Sequence, residues 1–134
     1  MNIAVIFAGG SGLRMHTKSR PKQFLELNGK PIIIYTLELF DNHPEIDGIV
    51  VACIESWIPF LEKMIRKFEI SKVVKIVPGG NSGQDSIYHG LCAAEEFADG
   101  KEANVLIHDG VRPLITEETI TDNIRKVEEC NVEF

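Results

Sequence analysis

Four short runs of continuous apolar residues punctuate the chain, at residues 2–7, 47–54 (DGIVVACI), 72–77 (KVVKIV) and 103–108 (ANVLIH). They are rich in β-branched residues and show no polar alternation, so each is expected to be a strand buried on both faces. Between them the apolar positions switch to helical spacing. Pro31 is expected to open a helix running to about Asn42, because proline is tolerated where the first-turn N–H has no partner anyway. Ser56 is expected to cap a second helix, whose stripe is Ile58, Leu61, Ile65 and Phe68. A third helix is expected over residues 85–97. Thr116 is expected to cap a fourth, with Glu117 and Glu118 placed favourably against its dipole. Strands alternating with helices, the strands apolar throughout, imply an α/β three-layer domain around a parallel sheet. No repeat or low-complexity segment interrupts it.

The segments left over are two glycine-rich loops and one short acidic-basic loop. Residues 8–28 form a glycine-rich, then basic loop interrupted by Pro21, and residues 78–83 form the second glycine-rich loop. The 134 residues suit one domain, expected to span 1–134. Near the end, Val132-Glu133-Phe134 reads as the opening of a further strand. A chain seldom stops inside an unpaired strand, so a fragment of a longer protein is expected, truncated at its C-terminus.

Charge changes the picture more than composition does. The net charge is −6, yet residues 1–25 hold no acidic residue and carry Arg14, Lys18, Arg20 and Lys22, with His16 among them. One concentrated basic loop on an acidic protein suits a small polyanion and not a long nucleic acid. No stretch approaches the roughly 20 apolar residues of a membrane helix. The apolar N-terminus lacks a basic flank and runs into glycines, so no signal peptide is expected. Cys53, Cys92 and Cys130 are widely spaced and odd in number. They fit neither a zinc site nor a disulfide framework, which favours inert thiols in a reducing cytoplasm.

In an open parallel sheet, ligands sit beyond the carboxyl ends of the strands. The first loop there reads Ala8-Gly9-Gly10-Ser11-Gly12-Leu13-Arg14-Met15, followed by Pro21-Lys22-Gln23-Phe24. Small residues let backbone N–H groups approach and cradle phosphate oxygens. Arg14 and Lys22 can then neutralise a triphosphate and act on a phosphoryl-transfer transition state. A Walker A loop is excluded by the missing Gly-Lys-Ser/Thr ending. A dinucleotide fingerprint is excluded by Met15 where its third glycine belongs.

The second loop, Pro78-Gly79-Gly80-Asn81-Ser82-Gly83-Gln84-Asp85-Ser86, could meet a flat base with backbone, amide and hydroxyl groups, and it could equally be turn chemistry alone. The third is His108-Asp109-Gly110-Val111-Arg112-Pro113. Asp109 at a strand's end is well placed for Mg²⁺, which takes one or two carboxylates plus phosphate oxygens and water. Arg112 is expected to brace the loop by pairing with a carboxylate. His108 is open to two readings, a catalytic base or a histidine that orders the loop. The second is preferred, since nothing nearby in sequence forms a base–nucleophile pair. His16, His43 and His89 show no metal-ligand spacing.

Taken together, AGGSGLRM, PKQFLELNGKPII, GGNSGQDSI and HDGVRP resemble, in order and separation, the cytidylyltransferases of methylerythritol phosphate and ribitol phosphate. The resemblance runs from Ile3 to about Lys126. It implies a Rossmann-like nucleotidyltransferase fold and transfer of CMP from CTP, with Mg²⁺ or another divalent cation as cofactor. On that resemblance Ala8, Gly9, Gly10, Ser11 and Gly12 would wrap the phosphates and ribose of CTP. Arg14 and Lys22 would bind the triphosphate, Lys22 stabilising charge at the α-phosphorus. Gly80, Asn81 and Ser86 would recognise cytosine, Asp109 would hold the metal, and Gly110 would lie against the ribose. The family often has arginine where Gly83 stands. Its members also run well beyond this chain, and their later half carries the acceptor-binding residues and a dimerising arm. The chain alone is therefore expected to turn over weakly or not at all, and its parent to be a cytoplasmic homodimer. Gly9-Gly10, Gly110-Val111 and the five residues between Met15 and Pro21 lean towards the ribitol-phosphate branch, with the methylerythritol branch as alternative. Two rivals are a sugar-1-phosphate uridylyl- or guanylyltransferase, opposed by Gln23 and HDGVRP, and a non-catalytic nucleotide-binding domain, opposed by Arg14, Lys22 and Asp109.

Overall fold

The structure, a computed structural model, describes residues 1–8, 21–80 and 82–130. Four strands form one sheet: β1 (Asn2–Ala8), β4 (Gly48–Cys53), β5 (Val73–Pro78) and β6 (Asn104–Asp109), in the order β5-β4-β1-β6. All three pairings are parallel. The apolar runs therefore become strands as expected, within a residue or two at each end, but β5 and β6 are not buried on both faces: they end the strand order, and Val74, Lys75 and Ile107 are exposed.

Alternation along the strands sorts the core into two layers, since successive side chains point to opposite faces. Ala4, Ile6 and Ala8 of β1 join Ile49, Val51 and Cys53 of β4 under three helices, α1 (Ile32–Asp41), α2 (Ile58–Lys67) and α4 (Glu117–Cys130). Ile3, Val5 and Val50 face the other way, onto Ala93, Ala94 and Ala98 of α3 (Gly83–Ala98). The expected three-layer α/β domain is what forms, with three helices on one face and one on the other among the described residues. Complete burial of an Ile, Leu or Phe side chain stabilises by about 1.5–3 kcal/mol, against about 1 kcal/mol for a helix cap. Burial therefore dominates, and caps only trim the ends.

The helix starts show that division. Ser56 does not cap α2: it lies in a 3-10 turn, Glu55–Trp57, and Trp57 occupies the cap position without a side-chain bond. Proline near the start of α2 presets the helical φ and needs no N–H partner, so the helix begins without a capping hydroxyl. α3 begins two residues before the expected Asp85, because Ser82 Oγ accepts from Asp85 N at 3.2 Å. Thr116 does cap α4, its Oγ1 accepting from Thr119 N at 3.1 Å.

Where the loop expected over 8–28 gives way to the expected helix start, a hairpin forms between β2 (Glu26–Leu27) and β3 (Lys30–Pro31), and Pro31 precedes α1 as its cap residue instead of opening it. Its two turn residues, Asn28 and Gly29, have φ of 54° and 78°. Asn-Gly with both φ positive is the favoured two-residue hairpin turn, so the local signal was present. The expected further strand at 132–134 lies outside the described residues. Among the described residues, no helix is long and apolar enough to cross a membrane.

Candidate functional site

Because all four strands run parallel, their carboxyl ends share one edge of the sheet. In register, Ala8 lies opposite Cys53, Cys53 opposite Pro78, and Phe7 opposite Asp109. The three loops singled out in the sequence follow β1, β5 and β6, so the topology gathers them. From β6 to β5 is three strand spacings, about 14 Å, a span that suits an elongated ligand better than a single ion. Gly9, Gly10, Ser11, Gly12, Arg14 and Asn81 lie outside the described residues.

Ala8, the buried end of β1, is tied to the segment after the basic loop: the buried Gln23 side chain donates through Nε2 to Ala8 O. Gln23 belongs to a 3-10 turn, Lys22–Phe24, closed by Phe24 N donating to Pro21 O at 2.9 Å. Phe24 is wholly buried, stacked on Trp57 at 4.9 Å between ring centroids and edge-on to Phe60 at 5.6 Å. Two of the three turn residues are thus anchored inward, which leaves Lys22 exposed beside the end of β1.

Gly110 is buried against β1. Its N–H donates to Phe7 O at 3.0 Å, and its carbonyl accepts from Thr36 Oγ1 at 2.9 Å. Both its backbone polar groups are therefore engaged within the protein. Asp109 keeps its side chain about a third exposed, with Oδ1 accepting from Val111 N at 3.0 Å. Arg112 faces Asp109 Oδ2 at 3.8 Å, but it is 78% exposed. A pair that open contributes about 0–1 kcal/mol. The firmer brace is His108, whose Nε2 donates to Arg112 O at 2.8 Å while its ring lies 5.5 Å from Phe40. A ring nitrogen that donates to a carbonyl orders this loop, which is the preferred of the two readings of His108.

The second glycine-rich loop is folded onto the start of α3. Gly79 N donates to Cys53 O at 2.7 Å, and Gly80 N to Ser86 Oγ at 3.1 Å. Ser86 is completely buried and donates in turn to Ser82 O at 3.1 Å. The Ser86 hydroxyl and the Gly80 N–H are thus spent on the shape of the loop. A Cβ on Gly80 would lie 2.1 Å from Asp85 Cβ, so this close approach requires glycine. Beside it His89 Nδ1 lies 3.0 Å from Pro78 O. At Gly83, where the family often has arginine, an added Cβ would meet nothing within 4 Å.

Burial pushes the Cys53 thiol up to about 12, so it stays protonated and unreactive at neutral pH. Among the described residues, no group of three or more His, Cys, Asp and Glu side chains could hold a metal ion.

Thr36 escaped the sequence reading. A threonine among Ile33, Ile34, Leu37 and Phe40 on a buried helix face was its only local signal. Thr36→Val is expected to leave the buried Gly110 carbonyl short of a donor and destabilise the protein by about 1–3 kcal/mol. Urea unfolding measures this, and a change below about 0.5 kcal/mol would show that the bond contributes nothing beyond an ordinary surface change.

The model of the family described as 2-C-methyl-D-erythritol 4-phosphate cytidylyltransferase (IspD) matches residues 2–132. The chain is 57% identical over 127 residues to a ribitol-5-phosphate cytidylyltransferase of Vibrio parahaemolyticus, covering 95% of this chain and 53% of that one. It is 44% identical over 126 residues to a 2-C-methyl-D-erythritol 4-phosphate cytidylyltransferase of Clostridium botulinum, covering 94% and 53%. Among solved structures, 4-diphosphocytidyl-2C-methyl-D-erythritol synthase from Anaerococcus prevotii superposes with a TM-score of 0.74 at 27% identity, covering 96% of this chain and 51% of that one. The chain spans about half the length of the curated relatives it matches.

Proposed function

Since the chain belongs to the 2-C-methyl-D-erythritol 4-phosphate cytidylyltransferase family, we propose that it forms the nucleotide-binding part of an enzyme transferring CMP from CTP to a polyol phosphate, with release of pyrophosphate. The observation that carries this reading is that β1, β5 and β6 end at one edge of the sheet, with exposed Lys22 beside the end of β1 on a turn anchored by buried Gln23 and Phe24. Ribitol 5-phosphate is the favoured acceptor. Relatives named for it are 45–57% identical, against 44% for one named for methylerythritol phosphate. The methylerythritol reading stays as the alternative, supported by the description of the family model.

On this reading Ala8 to Gly12 hold the phosphates through backbone N–H groups, with Arg14 and Lys22 as the cations. An acceptor phosphate oxygen attacks the α-phosphorus in line, and the bond to the bridging oxygen of pyrophosphate breaks. Lys22 stabilises the charge that grows on the phosphoryl oxygens. Gly80, Asn81 and Ser86 form the cytosine side, Ser86 by shaping the loop. Asp109 offers one partly exposed carboxylate, a hard oxygen donor that fits Mg²⁺ when nucleotide oxygens and water complete the shell. Bound there, the cation would neutralise phosphate charge. The same reading makes the working enzyme a cytoplasmic homodimer with no nucleic-acid or membrane partner.

Calorimetric titration with CTP, UTP, ATP and GTP, each with Mg²⁺, tests the reading. Selective CTP binding is expected, weakened at least about tenfold in Asp109→Asn, since loss of even an outer-shell partner costs a metal site 10–100-fold. If folded protein binds no nucleotide, the titration is repeated on a chain extended to the relatives' length. Absence of CTP binding there overturns the assignment.

A further inference from the structure

Pro78 and Gly79 share one peptide plane, and both of its polar ends are held. The Gly79 N–H donates to Cys53 O at 2.7 Å, which ties the plane to the end of β4. The Pro78 carbonyl lies 3.0 Å from His89 Nδ1, which ties it to α3. A carbonyl can only accept, so Nδ1 is the donor in this contact. His89 stands one helical turn after Ser86, and both side chains reach the same loop. Ser86 is buried and grips Gly80 and Ser82 from inside, while His89 is exposed and grips Pro78 from outside.

The two grips do different work. Ser86 is part of the packed interior, so its loss would disturb folding as well as the loop. His89 is exposed and contributes one exposed hydrogen bond, a small part of global stability. What it does control is rotation of the Pro78–Gly79 plane. Held only at its N–H, that plane could turn its Pro78 carbonyl between the anchored Gly79 and Gly80 N–H groups. Held at both ends, the Pro78–Gly79 plane has one orientation before any ligand arrives.

We propose that His89 is a positioning residue for base recognition: by locking the Pro78–Gly79 peptide it sets the loop that selects cytosine, without touching the nucleotide phosphates. This rests on the proposed function, in which that loop meets the base. Its consequence is separable from phosphate binding, because β4 lies between β5 and β1, the strand whose end the Lys22–Phe24 turn is bonded to. Pre-set loops bind more tightly because less ordering has to accompany binding.

The test compares the wild type with His89→Leu and His89→Asn, on the chain as it stands and extended to the relatives' length. Asparagine carries its amide nitrogen the same number of bonds from the backbone as Nδ1 and can restore the donor. The probes are CTP, UTP and inorganic triphosphate, each with Mg²⁺. In His89→Leu the Kd for CTP is expected to rise about fivefold, the worth of one ordinary hydrogen bond, and the CTP-to-UTP preference to shrink by the same factor. Binding of inorganic triphosphate should not move, the melting midpoint should fall by a few degrees at most, and His89→Asn should recover most of the CTP affinity. An unaltered preference in His89→Leu overturns the inference. So does equal weakening of CTP and inorganic triphosphate, or failure of asparagine to rescue. If the wild type prefers no base at either length, the cytidylyl reading falls and this inference with it, a result distinct from a silent variant.

Discussion

Replacing Lys22 with alanine is expected to slow pyrophosphate release from CTP by at least about a hundredfold, measured on a protein extended to the relatives' length. The melting midpoint should stay where it is, because Lys22 is exposed and its neighbours Gln23 and Phe24 do the anchoring. The size follows from the role. A cation aimed at charge that develops during transfer contributes more to the transition state than to bound CTP. Its removal should therefore lower kcat and kcat/KM together, with a smaller change in CTP affinity. Lys22→Arg should recover only part of the rate, since a planar fork replaces a compact point charge on a different stem. Unchanged pyrophosphate release in the alanine variant would remove Lys22 from the chemistry and favour the non-catalytic nucleotide-binding domain.

The largest effect on stability is expected at Phe24. Its ring is wholly buried, stacked on Trp57 and edge-on to Phe60, so Phe24→Ala leaves a cavity that the surrounding rings cannot close. The cost should be about 3–5 kcal/mol. Against a total stability of about 5–15 kcal/mol for a domain, that is enough to leave a visible unfolded fraction at moderate temperature. Urea unfolding at constant temperature reads the change directly, and a loss below about 1 kcal/mol would contradict this packing. The variant also bears on the site. Phe24 holds one end of the turn that carries Lys22, so CTP affinity should fall even under conditions where the variant is folded. Lys22→Ala keeps the fold and loses the rate. Phe24→Ala weakens both, and the pair separates holding the turn from acting through it.

Much of the fold was legible because parallel strands buried on both faces must be apolar at every position. The run at 47–54 therefore became β4, buried along its whole length, while the run at 103–108 became β6, legible from its apolar residues although Ile107 is exposed. The Thr116 cap was legible for a similar reason: its partner, Thr119, is three residues away. What escaped was shorter or longer in range. The β2–β3 hairpin has two residues per strand, too few to establish a period, although Asn28-Gly29 marked its turn. Ser56 had the right residue type for a cap, but the turn Glu55–Trp57 displaced it.

The loops that carry the proposed chemistry were visible from composition alone: glycines, then cations after β1, glycines with amide and hydroxyl after β5, and Asp109 at the end of β6. That they share one edge of a parallel sheet followed from the alternation of elements. How each loop is held did not follow. Thr36 bonds Gly110 across 74 residues of sequence, Gln23 bonds Ala8 across 15, and His89 bonds Pro78 across 11. None of these separations leaves a period or a local motif, because each bond depends on where two elements come to rest on the same sheet. The sequence by itself therefore determined which segments are strands, which edge they load and with what residue types. Only the tertiary structure decided that Gln23, Thr36 and His89 are the fasteners, since long-range hydrogen bonds are selected by packing and not by neighbours in the chain.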